Sequence, residues 1–350
     1  MSRGRRRDRR VYLRSHPVLF ALMAATRGKP AQRLGRTVVV HEAEAFRAAL
    51  TKIPLDRTAA GTTGGAAGEL AGSGALFDQH GDEHRGTRRD TSALLGAAGV
   101  AKLRPIWMKL LDDRLPVLDA GGTVDLVPLS VEIAGATAAA LLELDVDPVE
   151  LAEAAQQAAS AAAKAHVPGP RRPADERAAA DRLLRLVGEP RGLHAMLAVA
   201  AINTTVAALP RAVAWACDDD LWHHAGENAL ADELLRVTAP TPLLPRVAAG
   251  TGTVGGCPIR PGDRLVLIAR HAAEAHTRDP DPEEPAPART AQLVFGVGPH
   301  ACPGAALART QLTDLLAALA PYRPTVVRAR ADRHAALPSW RELIIRGRTA

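Results

Sequence analysis

A chain of 350 residues with 47% hydrophobic and 23% charged residues has enough apolar material for a large core, which excludes both a disordered chain and a small disulfide-stapled scaffold. The formal charge is +6, but Arg3, Arg5, Arg6, Arg7, Arg9 and Arg10 fall within the first ten residues, so the rest is close to neutral and offers no basic field for nucleic acid. Three scattered cysteines, Cys217, Cys257 and Cys302, form no disulfide framework and fit a reducing, cytoplasmic setting.

In chain order, residues 1–30 read as a basic tail, solvated and frayed, with a first helix, and residues 31–350 read as one domain. Arg9-Arg10-Val11-Tyr12-Leu13-Arg14 is similar to a twin-arginine export signal, but the apolar stretch 18–25 that follows is short for a leader and far too short for a membrane anchor. The β-branched run Val38-Val39-Val40 predicts a strand, and 42–50 a helix. Residues 61–74, rich in Gly, Thr and Ala without periodicity, read as a mobile loop. Helical patterns cover 83–111 and 148–165, and the Pro-Gly-Pro-containing stretch 167–173 is the strongest internal break.

Residues 192–218 are apolar on every side, which predicts a helix buried in the middle of the protein; Asn203 and Thr204 interrupt it, and Pro210 removes a hydrogen bond near Val206. A helix follows at 227–237, then short strands over 240–268 with turns at Gly250, Gly255-Gly256 and Pro261-Gly262-Asp263. A proline-rich coil occupies 280–287, a last helix 303–319, and Leu343-Ile344-Ile345 a closing strand. The fold class is mainly α with small β-sheets.

The most informative stretch is Phe295-Gly296-Val297-Gly298-Pro299-His300-Ala301-Cys302-Pro303-Gly304. Its glycines permit positive-φ turns, and Pro303 suits the first position of a helix, so Cys302 lies at a helix start where free amides and the helix dipole favour a thiolate. Such a thiolate is a good axial ligand for haem iron. This run resembles the haem-binding loop of the cytochrome P450 family, FGxGxHxCxG, at every fixed position. Glu233-Leu234-Leu235-Arg236 resembles the family's ExxR, whose two charged side chains share a helix face and can pair. Glu83-His84-Arg85-Gly86-Thr87-Arg88 resembles the helix whose HxxxR pattern contacts the haem propionates.

The resemblance implies a cytochrome P450 fold with a long central helix over haem b, iron protoporphyrin IX. It implies Cys302 as iron ligand, His84, Arg88, Arg246 and His300 as propionate partners, Phe295 as a shield for the sulfur, and Gly296 as part of the loop. Glu233 and Arg236 are implied as a structural pair, with Arg289 or Arg278 as its third partner. The implied function is a haem-thiolate monooxygenase of a small, specialised-metabolite-type molecule. It would use dioxygen and electrons from a ferredoxin and its reductase, without nucleic acid or a membrane anchor.

Two departures bear on activity. The family places an acid before its distal threonine; here Asn203 precedes Thr204, and an amide cannot titrate. Asn203 and Thr204 are the implied catalytic pair, with a buried pair bonded to its own helix as the alternative. The substitution keeps open oxidative coupling, cyclisation or desaturation without oxygen insertion, or peroxide-driven turnover. The span between the His84 helix and the central helix is short, implying a reduced lid. Outside this chemistry stand a haem sensor or carrier without turnover, and a zinc site from His300, Cys302, Cys257 and His271, which lacks paired ligand spacing.

Overall fold

The computed structural model describes residues 1–72, 76–79, 81–165 and 173–348. The break expected around 167–172 lies outside them. Helices α1 (Arg3–Ser15) and α2 (Pro17–Thr26) lead into strands β1 (Ala31–Leu34) and β2 (Thr37–Val40) and helix α3 (Ala43–Thr51). Strand β3 (Leu55–Asp56), α4 (Thr63–Ala71), α5 (Gly81–Leu94), α6 (Ala97–Arg114), β4 (Thr123–Asp125), α7 (Leu126–Leu141), α8 (Pro148–Ala165) and α9 (Pro173–Leu186) come next. After the central helix α10 (Arg191–Asp219) come α11 (Asn228–Thr238), the strands β5 (Leu244–Ala248), β6 (Gly252–Val254), β7 (Cys257–Ile259) and β8 (Arg264–Leu267), and the short helices α12 (Ala269–Ala272) and α13 (Ala288–Ala291). The chain closes with α14 (Ala305–Leu319), β9 (Thr325–Ala331) and β10 (Trp340–Arg346).

Apolarity on all sides puts α10 at the centre. It buries residues from Ala195 to Ala216 against α1, α4, α7, α8 and α11, and it stays helical through Pro210. Towards its C-terminal half, α6, α7, α11, α14 and β10 converge on Trp107, Trp215 and Leu312; towards its N-terminal half, alanines of α7 and α8 let the helices approach closely around Ile202. Beside this bundle lies a five-stranded sheet in the order β1-β2-β8-β5-β3, in which only β2 and β8 run parallel. The valine run of β2 is interior to the sheet, with α3 covering Val38 and Val40 on one face and Tyr12, Phe20 and Met23 of α1 and α2 covering Val39 on the other, so all three are buried. β6 and β7 form a hairpin whose turn is Gly255-Gly256, both at positive φ as that turn demands. β4, β10 and β9 make the third sheet.

Three sequence expectations are corrected. Residues 63–71 are helix α4, not loop: Thr62 caps it by accepting from the Gly65 amide, and its glycines answer a packing demand. A Cβ at Gly64 would meet the Arg57 carbonyl at 2.1 Å, and one at Gly65 the Ala59 carbonyl at 2.3 Å. The basic N-terminus is not frayed, because α1 buries Val11, Tyr12 and one acid, Asp8. Asp8 accepts from Arg211 (2.6 and 2.9 Å) and Arg270 (3.1 Å), and both guanidinium groups lie on the Tyr12 ring at 4.5 and 4.0 Å. The last helix begins at Ala305 with Gly304 as N-cap, so Cys302 and Pro303 belong to the preceding turn.

Candidate functional site

The cysteine loop is closed by its own backbone. Cys302 donates its amide to the Phe295 carbonyl at 2.7 Å and Ala301 to Gly298 at 3.0 Å, while Gly296 (φ 73°) and Gly298 (φ 77°) take the positive-φ conformations that a side chain would strain. The Phe295 ring packs under Arg309 of α14, whose guanidinium carbon is 4.9 Å from the ring centroid and which also pairs with Asp232 of α11.

A stabilised thiolate, expected from the helix start, is not what this environment gives. Although Cys302 keeps an open surface, the protein around its sulfur excludes enough water that burial pushes the thiol up. The Gly304 amide and the charges of Arg88 and Arg309 pull it down by less. With α14 starting three residues later, its dipole falls off before reaching the sulfur. A metal cation taken up at the sulfur would supply the missing positive charge, since a coordinated thiol is deprotonated outright.

Around this loop the structure gathers the other residues that the sequence singled out. His84 of α5 stacks on His300 at 3.8 Å between ring centroids and 29° between planes. Arg88, one turn further along α5, donates to the Ala301 carbonyl. Arg246 projects from β5 into a cleft lined by Asp56, Arg57, Thr62, Thr63, Phe77 and His300, and donates to the Thr63 hydroxyl at 3.0 Å. Burial, aggravated by the nearby charge of Arg57, pushes the Arg246 guanidinium down to about 10, and burial lowers Arg57 too. Neither forms an ion pair among the described residues, and the buried Arg246 Nε has no hydrogen-bond partner. Asp56 also lines the cleft, but its Oδ1 accepts from the amides of Thr58 and Ala59 and it makes no ion pair with either arginine among the described residues, so the two desolvated cations are costly unless a further anion joins them. A haem propionate is such an anion, and the thiol at Cys302 is the donor its iron would take, so the donor set fits the group.

Glu233 and Arg236 are 1% and 0% exposed at the side chain and bind in a fork, Nε to Oε1 at 2.9 Å and Nη2 to Oε2 at 2.6 Å. Their third partner is not the side chain of Arg278 or Arg289. It is backbone: Arg236 donates to the carbonyls of Ala273 (3.2 Å), Arg278 (3.3 Å) and Asp279 (3.0 Å), and Glu233 accepts from the amides of Asp281 (3.1 Å) and Ala286 (2.9 Å). The pair therefore shapes the proline-rich coil leading to the cysteine loop. An irregular coil cannot pair its own amides and carbonyls, and a buried fork does it instead.

On α10 the Thr204 hydroxyl donates to Ala200 at 2.8 Å. The Asn203 amide donates to Val199 at 2.8 Å and, across to α8, to Ala155 at 3.3 Å. Both half-buried side chains thus hydrogen-bond helix backbone. The zinc reading finds no support among the described residues: Cys257 donates to the Ala31 carbonyl at 3.4 Å, and His271 bonds His41, ring nitrogen to ring nitrogen, at 2.8 Å.

Arg57, Thr63 and Arg309 escaped the sequence reading. Arg309 was findable, since it lies near the start of the helix that directly follows the cysteine loop. Arg57 carries no motif and reaches the site only because β3 pairs with β5.

Whole-chain comparison places this architecture. The structure of P450BioI in complex with an acyl carrier protein ligated to hexadec-9Z-enoic acid superposes with a TM-score of 0.76 at 16% identity, covering 96% of this chain and 99% of that one. Epothilone B-bound cytochrome P450epoK gives 0.75 at 18% identity over 95% and 96%, and a testosterone-bound structure from Bacillus megaterium gives 0.74 at 17% over 97% and 100%. The chain has the cytochrome P450 fold. No family model matches its sequence. Among curated proteins, erythromycin C-12 hydroxylase of Saccharopolyspora erythraea is 38% identical over 101 residues, which is 26% of this chain and about a quarter of that relative's length.

Proposed function

We propose that the chain is a haem-thiolate oxidase of the cytochrome P450 type, holding haem b through Cys302 and oxidising a small molecule with dioxygen and electrons from a ferredoxin and its reductase. The observation that carries this reading is the convergence at one loop of the Cys302 thiol and two half-buried guanidinium groups without an ion pair among the described residues, within a fold shared with structures bound to epothilone and testosterone. The likeness to enzymes of antibiotic modification supports a specialised-metabolite substrate.

Bound haem supplies the redox chemistry that binds dioxygen and oxidises the substrate. The chain's part is positional. Arg246, Arg57 and His300 line the cleft that would take a propionate, and His84 and Arg88 brace the far side of the loop. Phe295, capped by Arg309, would help to shield the sulfur from water once the group is bound. Glu233 and Arg236 fix the coil that aims the loop. Thr204 offers a hydroxyl for moving protons once it leaves the Ala200 carbonyl.

One observation favours a second outcome of the same chemistry. Both protons of the Asn203 amide are committed to carbonyls, and nothing at that position titrates, so proton supply falls to Thr204, water or the substrate. Coupling, cyclisation or desaturation, or turnover driven by peroxide, would lean least on such a supply. Labelled dioxygen separates these: label in the product supports hydroxylation, and its absence supports coupling or desaturation. The test of the proposal itself is Cys302→Ala, which should abolish the red-shifted Soret band of the reduced carbon monoxide complex; a band that persists would identify another ligand.

A further inference from the structure

We propose that α1 and α2 form a docking surface for an anionic lipid bilayer. The first 30 residues hold nine arginines and lysines against one acid, Asp8, a net +8, so the remainder of a chain of +6 carries −2. The structure sorts these charges. Arg3 and Arg7 pair with Asp218, Arg3 while still largely exposed, Arg5 pairs with Asp279, and Asp8 is consumed by Arg211 and Arg270. Arg6, Arg9, Arg10 and Arg14 remain on one exposed stripe of α1, without an ion pair among the described residues, and Arg27 and Lys29 add two exposed cations after α2.

Between the two groups of cations lies the second half of the surface. α2 contains no charged residue, and only Phe20, Met23 and Thr26 are buried. Its outer side shows Val18 at 82% and Leu22 at 51% exposure, with Leu19 and alanines between, and Leu13 of α1 continues the patch. A helix apolar on all sides that nevertheless faces outward lacks a covering.

Charge complementarity selects the occupant. A second copy seated on the patch through a two-fold axis would bring the arginine stripes of both copies together, which is repulsive. A nucleic acid would use the arginines but leave Val18 and Leu22 in water. An anionic bilayer answers both halves, since headgroup phosphates meet the arginines while valine and leucine enter the acyl boundary. Docked this way, the protein lies on the membrane without spanning it. Apolar substrates dissolved there would reach it at raised local concentration.

The experiment uses the full-length haem-loaded protein and sedimentation with unilamellar vesicles. Binding to mixed phosphatidylcholine–phosphatidylglycerol vesicles should exceed binding to pure phosphatidylcholine by at least about tenfold and fall as salt is raised. The double substitutions Val18→Glu with Leu22→Glu, and Arg9→Glu with Arg10→Glu, should each lower the partition coefficient by about tenfold or more while leaving the reduced carbon monoxide spectrum unchanged. Equal binding to neutral and anionic vesicles would overturn the proposal, as would wild-type partitioning of either variant. So would a dimer dissolved by Val18→Glu with Leu22→Glu in the absence of vesicle binding, or retention on duplex DNA in place of vesicles. Should a variant fail to fold, the lipid and salt dependence of the unmodified protein decides alone.

Discussion

Glu233→Ala is the most demanding perturbation of the structure. The carboxylate neutralises a guanidinium that is 0% exposed and accepts two backbone amides besides, from Asp281 and Ala286. Removing it leaves Arg236 as a buried uncompensated charge, which costs about 3–5 kcal/mol. Two amides also lose their acceptor; the buried one at Ala286, which water cannot reach, costs about 1–3 kcal/mol, and the one at Asp281, nearer the surface, costs less. Even with partial relaxation a loss of about 4–6 kcal/mol is expected, a large share of the roughly 5–15 kcal/mol that holds a domain folded. Asp82 and Arg85 provide the control: they have the same i,i+3 spacing on a helix, but their side chains are 94% and 65% exposed. Asp82→Ala should cost under about 0.5 kcal/mol. Urea unfolding of both variants, read by far-ultraviolet circular dichroism with haem absorbance in parallel, measures the contrast. Equal shifts of the two midpoints would refute the argument that burial and backbone contacts, not the pair itself, make Glu233 indispensable.

Replacing Arg246 by Met should leave the haem-free protein as stable or up to about 2 kcal/mol more stable, because an unpaired buried cation disappears, while haem dissociates faster; a destabilised haem-free protein would show that Arg246 is a structural strut. Burial and neighbouring charges hold His271 down to about 2 and His276 down to about 4, so both stay neutral in the fold while the unfolded chain takes up protons below about 6.5. Stability should therefore fall as pH is lowered from about 6.5 to about 4, by at most about 1.4 kcal/mol per pH unit for each histidine, and thermal melts of His271→Asn should show a shallower fall. Asn203→Asp would turn a carboxylate towards the Val199 and Ala155 carbonyls, which cannot donate, so its carboxyl should titrate high. The variant should lose about 1–3 kcal/mol at neutral pH and regain part of it in acid, where the carboxyl is protonated in both states; a pH-independent cost would refute this.

Much of this molecule was legible in its residues. The apolar run around Asn203 and Thr204 had to be central, the valines of β2 had to be interior, and the glycines of 295–304 could only serve a turn that presents Cys302. Periodicity and backbone sterics are local, so a single sequence states them. Other features were decided in three dimensions. Gly64 and Gly65 looked like loop residues and prove to be helix residues under a ceiling of carbonyls from Arg57 and Ala59, because the way the preceding segment folds back over the helix start leaves no periodic mark in the sequence. Arg57 became part of the site through strand pairing, and the partners of Glu233 and Arg236 proved to be amides and carbonyls that every residue carries. The arginine-rich start read as a tail because charge argues for water, yet Asp8 and Tyr12 draw one face of it into the core while the other keeps its charge outside. The direction in which the Cys302 thiol is pushed also came from its surroundings: the Gly304 amide and two arginines favour ionisation, and the bulk of protein around the sulfur opposes it more strongly. Desolvation depends on everything packed within several ångströms, and only the folded chain determines what that is.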